Sequence, residues 1–302
     1  MKLALQSVFL AVIITFQFSL VTVGQTNTAN PVLAVGELKV RVLQDAQIYL
    51  QNSYLTGIEA NEAKKLTGGT DSVLTPVNAF LVQTPNRIIL VDTGAGKYPG
   101  EDSGHLMERL NDAGIDPAKV DLILLTHFHF DHIGGLTSPE GKKLFPNAIV
   151  RVSKAENDFW MRDASLIPEN LRERAAKIKS ILAPYVSTKS YLPFLPDENL
   201  GEGIKAIAAN GHTPGHTVYS FTSKGKELWC IGDLIHFGAV QFEHPLVGIN
   251  FDSSGQMAIA SRIDFFQRAA KAHIVLAGAH LPVMVRLEKK GDAFVATPVN
   301  AY

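Results

Sequence analysis

The 302-residue chain has one cysteine, Cys230. A single thiol excludes an internal disulfide framework and any cysteine-rich zinc site, and its place in the apolar run Leu228-Trp229-Cys230-Ile231 marks it as a core residue. The chain also lacks net charge, with 28 Lys and Arg against 29 Asp and Glu. No global field draws it to nucleic acid or anionic lipid, so a polyanionic partner is not expected. It carries no Gly-x-Ser-x-Gly nucleophile turn and no phosphate-binding P-loop, which removes the usual signs of serine hydrolysis and nucleotide chemistry. No Pro/Gly/Ser-rich linker divides the middle. Histidine, by contrast, is plentiful at ten residues. Any metal held here must therefore be held by imidazole and carboxylate.

With 46% apolar and 19% charged residues, the composition is that of a globular protein rather than a disordered or multi-span membrane chain. The start is different. Leu3 to Val23 is almost uninterrupted apolar sequence after Lys2, and small residues close it at Thr22 and Gly24. That pattern predicts a secretory signal peptide over residues 1–24, favoured over a retained membrane anchor, followed by a flexible lead-in over 25–34 and one domain over 35–302. The expected location is exported, periplasmic or secreted. Expected partners are a small-molecule substrate and no nucleic acid, with membrane contact only through the leader and a homodimer left open.

Runs rich in β-formers and bounded by turn residues predict strands at 37–43, 78–84, 87–91, 120–125 and 148–152. Helical spacing predicts helices at 106–113, 154–163 and 168–183, the last with Pro168 in its first turn and Pro184 just past its end. The second half repeats the theme with strands at 204–208, 217–222, 227–231, 273–277 and 293–299, and a helix at 256–270. Strands followed by helices, twice, predict an α/β fold of two facing sheets with helices outside.

The segment His127-Phe128-His129-Phe130-Asp131-His132 directly follows the strand that ends at Leu125. In an extended backbone, residues two apart project to one side, so His127, His129 and Asp131 converge while His132 points elsewhere. On a helix His127 and His129 diverge, so a loop at a strand end is expected. The cluster is too rich for one ion. Its natural use is two neighbouring metals, His127 and His129 on one, Asp131 and His132 on the other. Further ligands stand at the ends of later strand-like runs: His212 for the first metal, His280 for the second, and the carboxylate of Asp233 bridging both. His216 and His236 compete with them on spacing alone. This nitrogen and oxygen set suits two Zn2+ per chain, with Mn, Fe or Co as alternatives.

With these residues the sequence resembles the metallo-β-lactamase superfamily, whose signature is HxHxDH followed by a distant His, Asp and His. The resemblance covers roughly residues 35–300 and implies an αββα sandwich of two facing mixed sheets. It favours His212 over His216. It also matches Asp92, in Val91-Asp92-Thr93-Gly94, to a residue that supports a metal ligand. Within the superfamily the chain is most similar to methyl parathion hydrolase and its exported relatives. The segments that carry this likeness are Phe145-Pro146-Asn147-Ala148, Asp158-Phe159-Trp160, Gly211 to Thr217 and Gly232-Asp233-Leu234-Ile235. That likeness makes Trp160 a candidate wall of an aromatic substrate pocket, with a helix-core role as the alternative. Only about 22 residues follow His280, too few for the C-terminal helical domain of glyoxalase II relatives.

The chemistry so implied is hydrolysis by a hydroxide bridging two metals, with Asp131 and Asp233 in catalytic places and no side-chain nucleophile. Lactones, esters and organophosphate triesters all present a suitable electrophile. A β-lactamase-type amide hydrolase, or an exported binding protein that keeps the fold without catalysis, are the alternatives.

Overall fold

Almost every strand at the centre of this chain is apolar on both sides, and the layering follows from that. In the computed structural model, which describes residues 32–96, 102–196 and 198–299, neighbouring residues of one strand enter different cores. Phe80, Val82, Ile89, Val91, Leu122 and Leu124 face one core, while Leu81, Leu90 and Ile123 face another. The same alternation holds in the second half, where Tyr219, Leu228, Cys230, Val275 and Ala277 share the first core while Val218, Trp229 and Leu276 face a third. Side chains alternate along a strand, so a strand buried on both faces must lie in a sheet covered twice.

In chain order the strands of the first half are β1 (Val32–Val35), β2 (Leu38–Gln51), β3 (Leu55–Thr56), β4 (Ser72–Gln83), β5 (Ile88–Val91), β6 (Leu122–Leu124) and β7 (Ile149–Arg151). Those of the second are β8 (Ile204–Ala208), β9 (Thr217–Ser223), β10 (Lys226–Gly232), β11 (Gly248–Ile249), β12 (Val275–Gly278), β13 (Val285–Lys290) and β14 (Ala293–Pro298). The helices are α1 (Ala60–Leu66), α2 (Leu106–Asp112), α3 (Phe130–Ile133), α4 (Lys154–Trp160), α5 (Arg172–Ser187), α6 (Gly238–Gln241) and α7 (Gly255–Ala272). Two six-stranded sheets result, ordered β1-β2-β4-β5-β6-β7 and β14-β13-β12-β10-β9-β8. Each is mixed: β5, β6 and β7 run parallel in the first, and β10 and β12 in the second. Buried residues of α2 and α5 cover the first sheet and those of α7 the second, giving the αββα sandwich that the sequence predicts.

The departures from expectation are local. The leader expected over residues 1–24 lies outside the described residues, and the lead-in expected over 25–34 ends sooner, because Val32–Val35 pairs antiparallel with β2. β2 runs on to Gln51 instead of stopping near Leu43. The polar residue that looks like its end, Asp45, sits at a bulge and is fully buried, accepting hydrogen bonds from the N–H groups of Ala95, Gly96 and Leu106. The long helix starts at Arg172 rather than Pro168 and carries Pro184 inside its last turn. A proline there forfeits one hydrogen bond but keeps a helical φ, and the Pro184 carbonyl gains the hydroxyls of Ser187 and Thr188. Among the described residues no helix is long and apolar enough to cross a membrane.

Candidate metal centre

Four parallel strands stop at one edge of the sandwich, and polar residues follow each of them: Asp92 after β5, His127 after β6, Asp233 after β10 and His280 after β12. The open edge at the carboxyl ends of parallel strands is the usual place for a site in α/β sheets. The halves are tied together there by the Tyr219 hydroxyl donating to the Leu125 carbonyl (2.8 Å) and the Thr217 N–H donating to the Thr126 carbonyl (3.0 Å).

The six-residue motif is extended only in its first part. His127 to His129 form a loop, and a helical turn begins at Phe130. The expectation that His132 points away from its neighbours is therefore corrected. Successive residues of a helix are about 100° apart, so Asp131 and His132 reach the same place. The turn is pressed against the loop after β5, where a Cβ on Gly134 or Gly135 would lie 2.0 Å from the carbonyl oxygens of Ala95 and Thr93. Only glycine permits that approach.

The structure gathers the seven residues into two groups, His127, His129, His212 and Asp233, and Asp131, His132, Asp233 and His280, with the ligand atoms within each lying inside 4.8 Å of one another. Asp233 belongs to both through different oxygens. Its Oδ2 lies 3.6 Å from His127 Nε2 and 3.2 Å from His212 Nε2, while its Oδ1 lies 3.1 Å from His132 Nε2 and 3.4 Å from His280 Nε2. The second carboxylate, Asp131, approaches His132 Nε2 at 3.7 Å and His280 Nε2 at 3.5 Å, and is the half-exposed member of its group.

Outer partners aim most of the rings. The Nδ1 of His132 bonds the Asp92 carboxylate (2.8 Å), that of His212 bonds Asp252 (2.9 Å), and that of His280 donates to the Pro76 carbonyl (2.9 Å). The Thr126 hydroxyl lies 3.1 Å from His127 Nδ1 and donates to Asp92 Oδ2. A bonded Nδ1 leaves Nε2 as the free donor atom, the arrangement that metal-binding histidines require. Asp92 itself adopts a left-handed backbone (φ 58°), which for a non-glycine residue is maintained only where the surroundings fix it. Here they do so by donating the N–H and the hydroxyl of Thr126 to its carboxylate.

The electrostatics fit a cation. Buried Nε2 atoms of His127 and His132 and Oδ1 of Asp233 have no hydrogen-bond partner, and unpaired buried polar atoms are costly unless something charged satisfies them. Burial opposes the charge on Asp233, but His132, His280 and the other imidazoles hold its carboxyl well below the usual range. His132 is driven the other way. Burial favours its neutral form, yet Asp233, Asp131 and Asp92 hold it well above the usual imidazole value. Burial and the adjacent imidazoles push His127 and His129 down.

Other neighbours surround the two groups. His216 is not among the grouped ligand atoms; its Nε2 accepts the Asp233 N–H (3.0 Å) and abuts Gly232, whose φ of 48° leaves no room for a Cβ. His236 places Nε2 3.1 Å from Asp233 Oδ2 and stacks on His280 at 5.0 Å. Asp252 and Glu156 carry no motif, and only the fold brings them to the site. His105, His244 and His273 lie outside both groups.

Above the two groups opens a cavity of about 1010 Å3, with His129, Asp131, His212, Asp233 and His280 among its lining residues and Ile48, Leu50, Phe159, Leu171 and Phe251 on its walls. Trp160 lines the cavity, is 2% exposed and packs in the same core as the buried residues of α5.

A family model described as the metallo-beta-lactamase superfamily matches residues 73–294. Among curated proteins the chain is 32% identical over 152 residues to the uncharacterized protein YobT of Bacillus subtilis (strain 168), which covers 50% of this chain and 60% of that protein. It is 27% identical over 196 residues to the probable metallo-hydrolase Rv2300c of Mycobacterium tuberculosis, covering 56% of this chain and 61% of that one. The chain thus spans about three fifths of the length of these relatives. Among solved structures it is similar to the hydrolase AbOPH of the beta lactamase superfamily, with a TM-score of 0.85, 29% identity and coverage of 91% of this chain and 99% of that one. It is similar also to AidC, a dizinc quorum-quenching lactonase, with a TM-score of 0.83, 29% identity and coverage of 90% and 98%.

Proposed function

Because the chain belongs to the metallo-β-lactamase superfamily, we propose that it is a metal-dependent hydrolase whose two His/Asp groups hold a pair of cations and whose cavity receives a lactone, an ester or an organophosphate triester. The observation that carries this reading is Asp233, which offers one oxygen to each group on the floor of a largely apolar cavity. Its likeness to AidC and AbOPH supports the same reading, and the sequence resemblance to methyl parathion hydrolase supports triesters as substrates. The donor set, imidazole and carboxylate without thiolate, suits zinc, with Mn, Fe or Co as alternatives.

Cations bound there supply Lewis acidity toward a C=O or P=O oxygen and make water a nucleophile near neutral pH. The chain's own residues do the rest. His127, His129 and His212 hold one position, and His132, His280 and Asp131 the other. Asp131, half-exposed at the cavity floor, is placed to accept a proton from the attacking water. His216 and His236 fix the two ends of Asp233, its N–H and its Oδ2. Phe159, Trp160 and Phe251 keep water from the apolar part of the substrate. The apolar leader supports export, with the folded body periplasmic or secreted.

Metal analysis combined with a substrate panel tests the proposal. Two equivalents of metal per chain are expected, with kcat/KM for an aryl ester, acyl-homoserine lactone or aryl phosphotriester at least about tenfold above that for a β-lactam. Fewer than one metal per chain, or turnover unchanged in an Asp233→Ala, His280→Ala double variant, would sink it.

A further inference from the structure

Glu156 lies outside both ligand groups, yet it is the side chain that joins the segments carrying the first. It is fully buried in the first turn of α4. Its Oε1 accepts the N–H of Phe128 (3.0 Å), the residue between His127 and His129. Its Oε2 accepts the N–H of Gly215 (2.9 Å), three residues beyond His212. The same turn grips Gly215 a second time, because the Ser153 hydroxyl, which caps α4, donates to the Gly215 carbonyl (2.7 Å). A Cβ on Gly215 would stand 2.1 Å from the Glu156 nitrogen, so the contact is backbone against backbone. The remaining donor to Oε1 is the indole Nε1 of Trp160 (2.9 Å), in the cavity wall. None of these bonds reaches Asp131, His132 or His280.

We propose that Glu156 is the positioning residue of the first cation group, setting His127 and His129 against His212, and that its bond to Trp160 links occupancy of that group to the substrate wall. The physical reason is geometric. His127 and His129 come from the loop after the first sheet's β6, His212 from the second half of the chain, and the buried Glu156 carboxylate bonds the backbone of both segments, beside the Thr217 and Tyr219 bonds that tie the two halves. Charge-assisted bonds to N–H donors inside a protein are strong and directional. The inference rests on the reading that the groups hold cations.

The test measures Zn2+ affinity by competition with a chromophoric chelator, in full-length protein. A His280→Ala background leaves the first group as the better site, and a His129→Ala background leaves the second. Glu156→Gln, which places an amide N–H against the Gly215 N–H, is expected to lower affinity about 10- to 100-fold in the first background and less than about threefold in the second. Glu156→Asp, which keeps the charge and shortens the reach, gives an intermediate loss and serves if the glutamine variant does not fold. With Trp229→Phe leaving Trp160 as the single indole, Zn2+ is expected to shift its emission, and Glu156→Gln to abolish that shift. Equal loss in both backgrounds, no loss in either, or a Trp160 response that survives the substitution would overturn the role of Glu156. A wild-type chain that takes up no Zn2+ would instead overturn the hydrolase reading beneath it.

Discussion

Around the first group three imidazoles meet edge to face, His127 with His129 at 4.6 Å, His127 with His212 at 4.8 Å and His129 with His212 at 4.7 Å, and Asp233 supplies the one carboxylate. Around the second, two carboxylates, Asp131 and Asp233, face His132 and His280, and Asp92 stands behind His132. The difference shows in the titration. Burial and like neighbours push His127 and His129 toward the neutral form, whereas the carboxylates, overcoming burial, push His132 and His280 up. Only His212 in the first group rises, to about 9, because Asp233 and the Asp252 carboxylate behind it outweigh burial. His127 and His129 are thus ready as neutral nitrogen donors, while His212 and the second group hold protons until a cation arrives. Nitrogen donors favour zinc, and the oxygen-richer second group is the more tolerant of Mn.

Removing the residue that the groups share should break the comparison outright. Asp233→Ala is expected to cost more than about 100-fold in kcat/KM and to lower metal content at both positions, read by activity and by metal analysis of the dialysed protein. Retention of two tightly bound metals would contradict the bridging geometry. The outer carboxylates should separate the groups: Asp92→Ala is expected to weaken the second and Asp252→Ala the first, each by about 10- to 100-fold in metal affinity. A chelator titration that showed both variants losing the same site would erase the distinction between the groups.

A further effect concerns protons. With His132 held well above the ordinary imidazole value and His212 near 9, both are charged in the metal-free chain at neutral pH, and a cation must expel those protons. Affinity should therefore rise with pH, by about tenfold per unit for each proton released, and flatten for His212 above about pH 9. Calorimetry in buffers of different ionisation heat counts the protons. The stability of the metal-free chain runs oppositely, because a raised imidazole stabilises fully below its unfolded value and loses that contribution as pH rises through the folded one.

Much of this could be read from the chain before folding. The layered architecture was legible because strands buried on both faces are apolar throughout, and the metal motif because its ligands are adjacent. What stayed hidden depends on contacts distant in sequence. Asp252 and Glu156 are ordinary acidic residues until α7 and α4 are packed, and His216 and His236 differ from His212 only in where the turn points them. Asp45 and Pro184 misled for the opposite reason: each looks like the end of an element, yet a buried carboxylate and a last-turn proline are both tolerated within one. The helical turn at Phe130 was also concealed, since four residues are too short for periodicity to show.

The unpartnered Nε2 atoms of His127 and His132 and Oδ1 of Asp233 bear on more than catalysis. A cation that satisfies them binds the folded chain and not the unfolded one, so it shifts the folding equilibrium by mass action, about 2.7 kcal/mol when free metal stands at 100 times the dissociation constant. On the proposed reading, metal supply would govern how much of the protein survives as well as how fast it works. A chelator would then lower the stability of this chain as well as its turnover.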